Sequence, residues 1–278
     1  MTQPIAIRAL LDRYDGVLLD VYGVLLDATG ALPGARDLLA ELDRRAKPYA
    51  IVTNDASRSP ATYVERFARI GAAVAPDRIV TSGSLLAGHA ALAGARTCVL
   101  GTADSIAYVR AGGGVPIAPA PGMELDALAV CDDDGFDFLP GVEYALSAVV
   151  RAVEAGRRPH LVLPNPDLVY PKGGGELGLT AGSIALVIEA ALARRFPSER
   201  LVFTRLGKPE PPLFLEASRR LGIAPAGLVM IGDQLETDVA GARAAGVAAA
   251  LLSGVSRWDD ASTTATVAPT WLLDTLQP

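Results

Sequence analysis

Cysteine is scarce in this sequence. Only Cys98 and Cys131 occur among the 278 residues, and both lie inside apolar runs that predict strands. Cysteines in such runs are most often buried, reduced thiols rather than members of a disulfide framework or a metal site. Their scarcity therefore favours a cytoplasmic protein that folds without covalent cross-links.

Basic residues are fewer than acidic ones, and lysine is scarce. The net charge is −6, and three lysines stand against 22 arginines. Proteins that bind a phosphate backbone carry clustered Lys and Arg, so we expect no nucleic-acid partner. A small anionic substrate needs only a local concentration of positive charge, and it stays compatible with this composition.

Long apolar runs are absent as well. The most nearly continuous one, residues 79–95, is interrupted by Thr81-Ser82-Gly83-Ser84 and by His89, so it does not predict a membrane span. The first residues, Met1-Thr2-Gln3-Pro4-Ile5, lack the basic residues of a signal peptide. We therefore expect no membrane partner and a cytoplasmic location.

What the sequence does contain is an alternation of strand-like and helix-like segments. Half of its residues are apolar, and its length allows two domains. Such alternation indicates βαβ units, a parallel sheet and an α/β fold. One helix is predicted to open at Ser59-Pro60 and stop at Gly71, and another to open at Pro211-Pro212 and stop at Gly222. The predicted strands are 17–21, 49–53, 97–100, 127–131, 160–163, 228–231 and 248–252.

Proline and glycine concentrate in two segments, residues 78–84 and 164–178. Segments of this composition often form hinges between domains. We therefore predict a discontinuous core domain made of residues 1–77 and 181–278, with a smaller α/β domain inserted at residues 78–180.

Two predicted strands end on polar side chains. Asp20 follows an apolar run and precedes a glycine, and Thr53-Asn54 ends the next strand along the chain. In an open α/β sheet, ligands bind at the carboxyl edge of the strands, where these side chains should lie. Taken alone, Asp20 is more simply a turn former and Asn54 a helix cap.

Two later segments add a cation and more carboxylates. Lys208 precedes a predicted helix, where an ammonium could keep an aspartate ionised and offset phosphoryl charge; a solvated surface lysine is the alternative. Asp233 and Asp238 lie across a strand-to-helix turn, although Asp238 also suits an N-cap. Together with Asp20 they predict an oxygen-rich site of the kind that Mg²⁺ prefers.

The order of these residues along the chain resembles the haloacid dehalogenase (HAD) superfamily of hydrolases. More narrowly, four segments resemble its class IIA branch of nucleotide, pyridoxal phosphate, phosphoglycolate and para-nitrophenyl phosphatase-like proteins. The resemblance implies a Rossmann-like core with an α/β cap inserted between Thr53 and Lys208. The four segments are Pro164-Asn165-Pro166-Asp167-Leu168-Val169-Tyr170-Pro171, Gly207-Lys208-Pro209, Gly232-Asp233-Gln234-Leu235-Glu236-Thr237-Asp238 and Leu252-Ser253-Gly254-Val255-Ser256.

The resemblance also implies a role for each site residue. Asp20 would attack phosphorus and form an aspartyl-phosphate that water hydrolyses, while Lys208 bridges nucleophile and phosphate. Thr53 and the backbone around Asn54 would hold the phosphoryl oxygens. Mg²⁺ would be bound by Asp20, by Asp233 and by the carbonyl of Tyr22, with Asp238 as an outer ligand. The cap would contact the leaving group, with Asn165 and Asp167 as candidates near its hinge.

Two positions depart from the family pattern. Most phosphatases of this superfamily carry a second aspartate two residues after the nucleophile, and here that catalytic position is Tyr22. A phenol cannot readily serve as a base at neutral pH. A small amide is expected after Asn54, but the chain has Asp55, whose charge would oppose phosphate in the binding pocket unless Arg58 neutralises it.

Three functions follow from this pattern. The first is Mg²⁺-dependent hydrolysis of a small phosphorylated metabolite, which Lys208, Asp233 and Asp238 favour. The second is hydrolysis of a carbon–halogen bond, because the dehalogenase branch also carries an aromatic residue at the position of Tyr22. The third is a catalytically weak protein that binds a phosphorylated ligand. A homodimer is left open, and the leaving group is not specified by the sequence.

Overall fold

The computed structural model describes residues 2–27, 29–173, 175–254 and 267–278. Val255 and Ser256, which belong to one of the family-like segments, therefore lie outside the described residues. In chain order the strands and helices are β1 Gln3–Pro4, α1 Ile7–Arg13, β2 Gly16–Leu19, α2 Ala35–Arg44, β3 Tyr49–Thr53, α3 Pro60–Arg69, β4 Ile79–Thr81, β5 Arg96–Leu100, α4 Ala103–Ala111, β6 Val115–Ile117, β7 Ala127–Val130, α5 Phe138–Glu154, β8 His160–Leu163, β9 Val169–Gly173, β10 Glu176–Leu179, α6 Ala181–Arg195, β11 Thr204–Arg205, α7 Pro212–Leu221, β12 Leu228–Gly232, α8 Ala240–Ala244, β13 Ala248–Leu252 and β14 Trp271–Leu273.

The described residues form two compact units, each with its own sheet. One unit consists of residues 1–53, 60–80 and 208–278, and the other of residues 54–59 and 81–207. The predicted α/β class, with parallel sheets and a second α/β unit, is confirmed. No helix among the described residues is both long enough and apolar enough to cross a bilayer.

The first unit is built on a seven-stranded sheet. Its strand order is β1-β14-β13-β12-β2-β3-β4, and β2 pairs in parallel with both β12 and β3. Every residue of β2, β3 and β12 is buried, as expected for parallel strands that are covered on both faces. The carboxyl ends of these three strands therefore lie at one edge of the sheet.

Helices α3 and α7 of the first unit begin and end where the sequence predicts. Helix α3 opens on Pro60 and buries Tyr63 and Phe67, which are one turn apart on the same face. Helix α7 begins with Pro212 and ends before Gly222, which adopts the left-handed conformation with φ of 65°. Glycine takes this conformation without the steric penalty of a Cβ atom, and it therefore makes a good helix terminator.

The second unit contains a five-stranded sheet and a separate hairpin. The sheet order is β11-β8-β7-β5-β6, in which neighbouring strands are parallel, and β9 pairs with β10 in an antiparallel hairpin. Helices α5 and α6 pack on this sheet and share one apolar core with β7. The unit thus has a hydrophobic core that is separate from the core of the first unit.

The division into units differs from the predicted one. Residues 181–207, which the sequence assigned to the core domain, belong to the second unit. Ile184, Ile188 and Leu192 of α6 lie in the same buried cluster as Val130 of β7. The proline- and glycine-rich segment 164–178 forms β9 and the start of β10 instead of a linker between domains, which explains why the predicted boundary was placed too early.

Candidate active site

The acidic residues of the first unit follow neighbouring strands. Asp20 comes directly after β2, and its backbone N–H donates to the carbonyl of Ile231 in β12 at 3.0 Å. Asp233 comes directly after β12, and Thr53 ends β3. The parallel pairing of these strands therefore brings the predicted residues to the same carboxyl edge.

Three carboxylates and one ammonium meet at this edge. Asp20, Asp233 and Asp238 are all buried, and one oxygen of each lies within 4.8 Å of the others. Lys208 is buried as well, and its Nζ donates to Asp20 Oδ1 at 2.6 Å and to Asp238 Oδ1 at 2.7 Å. The four residues that the sequence singled out as metal- and phosphate-handling groups thus form one cluster.

The charges of this cluster do not cancel. Burial raises the pKa of Asp20 to about 7, even though Lys208 acts in the opposite direction. Burial also raises the pKa of Asp233 to about 8, and the neighbouring charges of Asp238 and Asp20 add to the effect. Burial alone would lower the pKa of Lys208, but Asp20 and Asp238 together raise it above its ordinary value. Three carboxylates beside one ammonium create a demand for further positive charge.

The donor set fits a hard divalent cation. Among the described residues, Oδ1 of Asp233 is a buried oxygen without any hydrogen-bond donor. An unpaired buried carboxylate oxygen is costly unless a cation or a donor satisfies it. Carboxylates with few competing protein ligands are typical of Mg²⁺ sites, in which waters and substrate oxygens complete the coordination. Asp20 and Asp233 are therefore residues that could hold Mg²⁺.

Two glycines let the chain approach these carboxylates closely. Gly23 has a φ of +87°, and a Cβ atom at this position would lie 2.2 Å from Asp233 Oδ2. A Cβ atom on Gly232 would lie 2.4 Å from Asp238 Oδ2. Oδ2 of Asp238 also accepts hydrogen bonds from the backbone N–H groups of Asp233 and Gln234, both at 3.2 Å. A side chain at Gly23 or Gly232 would therefore displace the carboxylate of Asp233 or Asp238.

Tyr22 is engaged by an arginine that sequence reasoning missed. The Tyr22 hydroxyl accepts a hydrogen bond of 2.5 Å from Nη1 of Arg66, and the guanidinium carbon lies 5.3 Å from the centre of the Tyr22 ring. Arg66 belongs to α3, and it also lies over the ring of Tyr63 at 5.7 Å. Helical periodicity indicates which face of α3 is buried, but it does not identify a partner 44 residues away.

The residues after Thr53 belong to the second unit. Asn54 Nδ2 donates to Asp167 Oδ1 at 2.8 Å, and Asn165 Oδ1 accepts from the backbone N–H of Asp167 at 3.1 Å. The structure thus brings Asn54, Asn165 and Asp167 together within this unit. Thr53 itself is buried at the end of β3 in the first unit.

Asp55 has the neutralising partner that the sequence required. Its Oδ2 pairs with Nη1 of Arg58 at 2.8 Å, and its Oδ1 accepts from the backbone N–H and the hydroxyl of Ser57 at 2.7 and 2.8 Å. The carboxylate of Asp55 is thus held by one cation and two neutral donors. These contacts offset the negative charge of the Asp55 carboxylate.

Comparisons with known proteins agree with this geometry. Residues 17–114 match the family model described as haloacid dehalogenase-like hydrolase, and residues 205–278 match a second model described as HAD-hydrolase-like. Mouse chronophin is 32% identical over 268 residues, which cover 92% of this chain and 87% of chronophin.

Two solved structures share the fold over nearly the whole chain. A possible sugar phosphatase of the HAD superfamily from Cytophaga hutchinsonii superposes with a TM-score of 0.86 at 28% identity, covering 100% of this chain and 99% of the other. A glycerol phosphate phosphatase from Mycobacterium tuberculosis, solved in complex with magnesium, gives a TM-score of 0.78 at 26% identity, covering 99% of this chain and 78% of the other.

The strand-end acids, the buried lysine and these matches define one class of protein, and the chain belongs to the haloacid dehalogenase-like hydrolases. Within that superfamily it falls in the class IIA branch, and a human relative that is 31% identical over 91% of this chain and 83% of its own length is named glycerol-3-phosphate phosphatase. The predicted family and the predicted enzyme class, a phosphoric monoester hydrolase, are both confirmed.

Proposed function

We propose that this protein is a Mg²⁺-dependent phosphatase that hydrolyses a small phosphomonoester through an aspartyl-phosphate on Asp20. The observation that carries the proposal is the contact of Lys208 with both Asp20 and Asp238, beside an Asp233 oxygen that has no donor among the described residues. A halide displacement needs no such cluster of acids, whereas phosphoryl transfer does need positive charge and metal ligands at this point.

Asp20 performs the covalent step in this proposal. One carboxylate oxygen forms a bond to phosphorus while the bond from phosphorus to the ester oxygen breaks, and the alcohol leaves with a proton taken from solvent. Water then cleaves the aspartyl-phosphate, which releases inorganic phosphate and restores the Asp20 carboxylate. Lys208, whose Nζ is 2.6 Å from Asp20 Oδ1, favours the ionised form of the nucleophile and offsets charge on the transferring group.

Further residues would bind the metal and the substrate. Asp20, Asp233 and the backbone carbonyl of Tyr22 would hold Mg²⁺, with Asp238 as an outer ligand. The ion, when bound, would offset the negative charge of the phosphoryl group and orient it for attack. Thr53 and the backbone at Asn54 would hold phosphoryl oxygens. We assign leaving-group recognition to the second unit, which contains Asp55, Asn165 and Asp167, and we propose that this unit is the cap.

The substrate is expected to be small. The Mycobacterium tuberculosis relative is named for glycerol phosphate, and this supports a small phosphorylated metabolite as the natural ligand of the present chain. The aromatic side chain at Tyr22 supports one competing reaction, the hydrolysis of a haloacid through an ester on Asp20. A protein that only binds its phosphorylated ligand is the remaining alternative.

The test is a covalent trap combined with a metal requirement. The full chain is mixed with ³²P-labelled para-nitrophenyl phosphate and Mg²⁺, quenched in acid and scored for protein-bound label. We expect label on the wild type, none on Asp20→Asn, and turnover that stops with a chelator and returns with Mg²⁺. Chelator-resistant activity toward haloacids would establish the competing reaction, and tight binding without turnover would establish the binding protein.

A further inference from the structure

Arg66 differs from the other half-buried arginines of the described chain. Five arginines are neither fully buried nor mostly exposed, and four of them pair with a carboxylate within 4.0 Å. These four are Arg45, Arg58, Arg78 and Arg157. Arg66 alone among them has no carboxylate partner in the part of the chain that the structure describes; its contacts there are the Tyr22 hydroxyl and the rings of Tyr22 and Tyr63.

Such a guanidinium is suited to bind an anion. Arg66 is half-buried and Tyr22, which it contacts, is 36% exposed, so a small ligand can reach the guanidinium, while a phenol and two aromatic rings offset its charge only in part. Arginine presents five N–H donors in a planar fork that matches carboxylate and phosphate oxygens. Within the part of the chain that the structure describes, Arg66 donates a hydrogen bond through Nη1 alone, to the Tyr22 hydroxyl. The remaining donors provide the geometry for a ligand with two oxygens.

Arg66 contacts a residue that is close in sequence to the nucleophile. Tyr22 lies two residues after Asp20, so Arg66 places a positive charge beside the loop that carries the nucleophile. The tyrosine holds the guanidinium through its ring and its hydroxyl and carries no charge that would neutralise it.

We infer that Arg66, held by Tyr22, recognises a second anionic group on the substrate. This inference rests on the proposed function and specifies its substrate class, namely phosphomonoesters whose leaving group carries a carboxylate or another anion. In this arrangement Tyr22 is a positioning residue for Arg66, and Arg66 determines specificity by contact with substrate.

Two aryl phosphates separate this role from a structural one. Phenyl phosphate and 4-carboxyphenyl phosphate differ by one carboxylate, and the ratio of their kcat/KM values is measured for wild type and variants. Charge-assisted hydrogen bonds contribute enough for a change of about tenfold or more. We expect Arg66→Gln to lower the ratio by at least that factor, whereas Arg66→Lys should retain part of it. Arg69→Gln is the matched control, because Arg69 lies on the same helix with a side chain that is 75% exposed.

A second measurement does not depend on turnover. Calorimetric affinities of phenylphosphonate and 4-carboxyphenylphosphonate should show the same loss of preference in Arg66→Gln. If wild type hydrolyses neither ester, the proposed function fails. If wild type hydrolyses both and Arg66→Gln lowers both equally, the inference about Arg66 is overturned while the phosphatase assignment stands. If Arg66→Gln does not fold, Arg66→Lys decides, and an unchanged ratio in that folded variant counts against the inference.

Discussion

At the scale of single residues, the cluster of three acidic side chains lowers the stability of the folded protein. Asp20, Asp233 and Asp238 share one buried space with a single ammonium, and burial raises the pKa values of Asp20 and Asp233. A buried carboxylate that is difficult to ionise is unfavourable for folding and becomes favourable only when a cation joins it. The most informative substitution is therefore one that removes this charge while keeping its shape.

Asp233→Asn should separate metal binding from folding. We compare both proteins at pH 8 in the presence of a chelator. The melting temperature of Asp233→Asn should then equal or exceed that of wild type, because a raised carboxyl pKa adds stability only while the group is protonated. This advantage of wild-type Asp233 is complete below the unfolded pKa of 3.8 and is lost as the pH rises through about 8. Thermal unfolding between pH 4 and pH 9 measures the crossover.

Added Mg²⁺ supplies the control for Asp233→Asn. A ligand at a hundred times its dissociation constant stabilises the folded state by about 2.7 kcal/mol. Wild type should gain stability of this order at saturating Mg²⁺, and Asp233→Asn should gain little. An equal gain in both proteins would show that Asp233 does not bind the ion.

Tyr22→Asp tests whether the protein lacks a general acid–base group because position 22 is a tyrosine. General acid–base groups contribute roughly a hundred- to ten-thousand-fold to rates. The aspartate side chain is shorter than that of tyrosine and need not be placed well for proton transfer, so we expect a gain below this range or at its lower end, about tenfold or more toward an alkyl phosphate. Wild type should strongly prefer para-nitrophenyl phosphate, whose leaving group needs no proton. If wild type already hydrolyses alkyl phosphates well and Tyr22→Asp is slower, another residue supplies the proton.

The principal acids could be predicted because each one follows a recognisable element. Asp20 and Asp233 end apolar strands, and Lys208 precedes a helix that opens with proline, so local sequence specifies their positions at the sheet edge. Arg66 could not be predicted in this way. Its importance comes from the lack of a carboxylate among its described neighbours, which is a property of tertiary packing that no local pattern encodes.

At the scale of elements, strands were predicted better than the connections between them. The predicted strands 49–53, 160–163 and 248–252 have the observed bounds, since buried parallel strands are short apolar runs that end at polar residues. The hairpin of β9 and β10 was missed because its proline and glycines indicate a linker as readily as a turn. Antiparallel pairing of β9 with β10, the next strand in the chain, decides between the two, and the composition of the segment alone does not predict that pairing.

The loop after β2 offers a test at this scale. Gly23→Ala and Gly71→Ala both place a Cβ atom on a backbone with positive φ, of +87° and +77°, which costs about 1–2 kcal/mol. Only Gly23→Ala would also bring that atom within 2.2 Å of Asp233 Oδ2, whereas no atom lies within 4 Å at Gly71. We expect Gly71→Ala to lower the melting temperature and leave kcat unchanged. Gly23→Ala should lower kcat at least about a hundredfold, a loss typical of a displaced catalytic group.

The measurement for this pair is kcat with para-nitrophenyl phosphate at saturating Mg²⁺, alongside the melting temperature with and without the ion. Similar losses of kcat in both variants would mean that strain alone explains the effect. In that case the contact between Gly23 and Asp233 would have no catalytic importance.

At the scale of the whole molecule, each unit encloses its own apolar core. The second unit has a five-stranded sheet and buried clusters that contain no residue of the first unit. Its sheet comes entirely from residues 81–207, but the segment 54–59 contributes Ala56, which is fully buried in one of the clusters. The sequence could not indicate that the segment 54–59 belongs to the second unit, because six residues between a strand and a helix have the composition of an ordinary loop.

The fragment 81–207 should therefore fold alone, but less stably than a linked fragment in which a Gly/Ser linker replaces residues 60–80 of the first unit and joins residues 54–59 to residue 81. In the complete unit the carbonyls of Ala56, Ser57 and Arg58 accept hydrogen bonds from Ser105, Thr102 and Tyr108 at 2.8, 2.6 and 2.8 Å. Each bond contributes about 1 kcal/mol net, so the shorter fragment should lose about 3 kcal/mol. Urea unfolding followed by circular dichroism measures the difference. A fragment 81–207 without a cooperative transition, beside a linked fragment that unfolds cooperatively, would show that the segment 54–59 is required for folding of this unit and does not merely stabilise it.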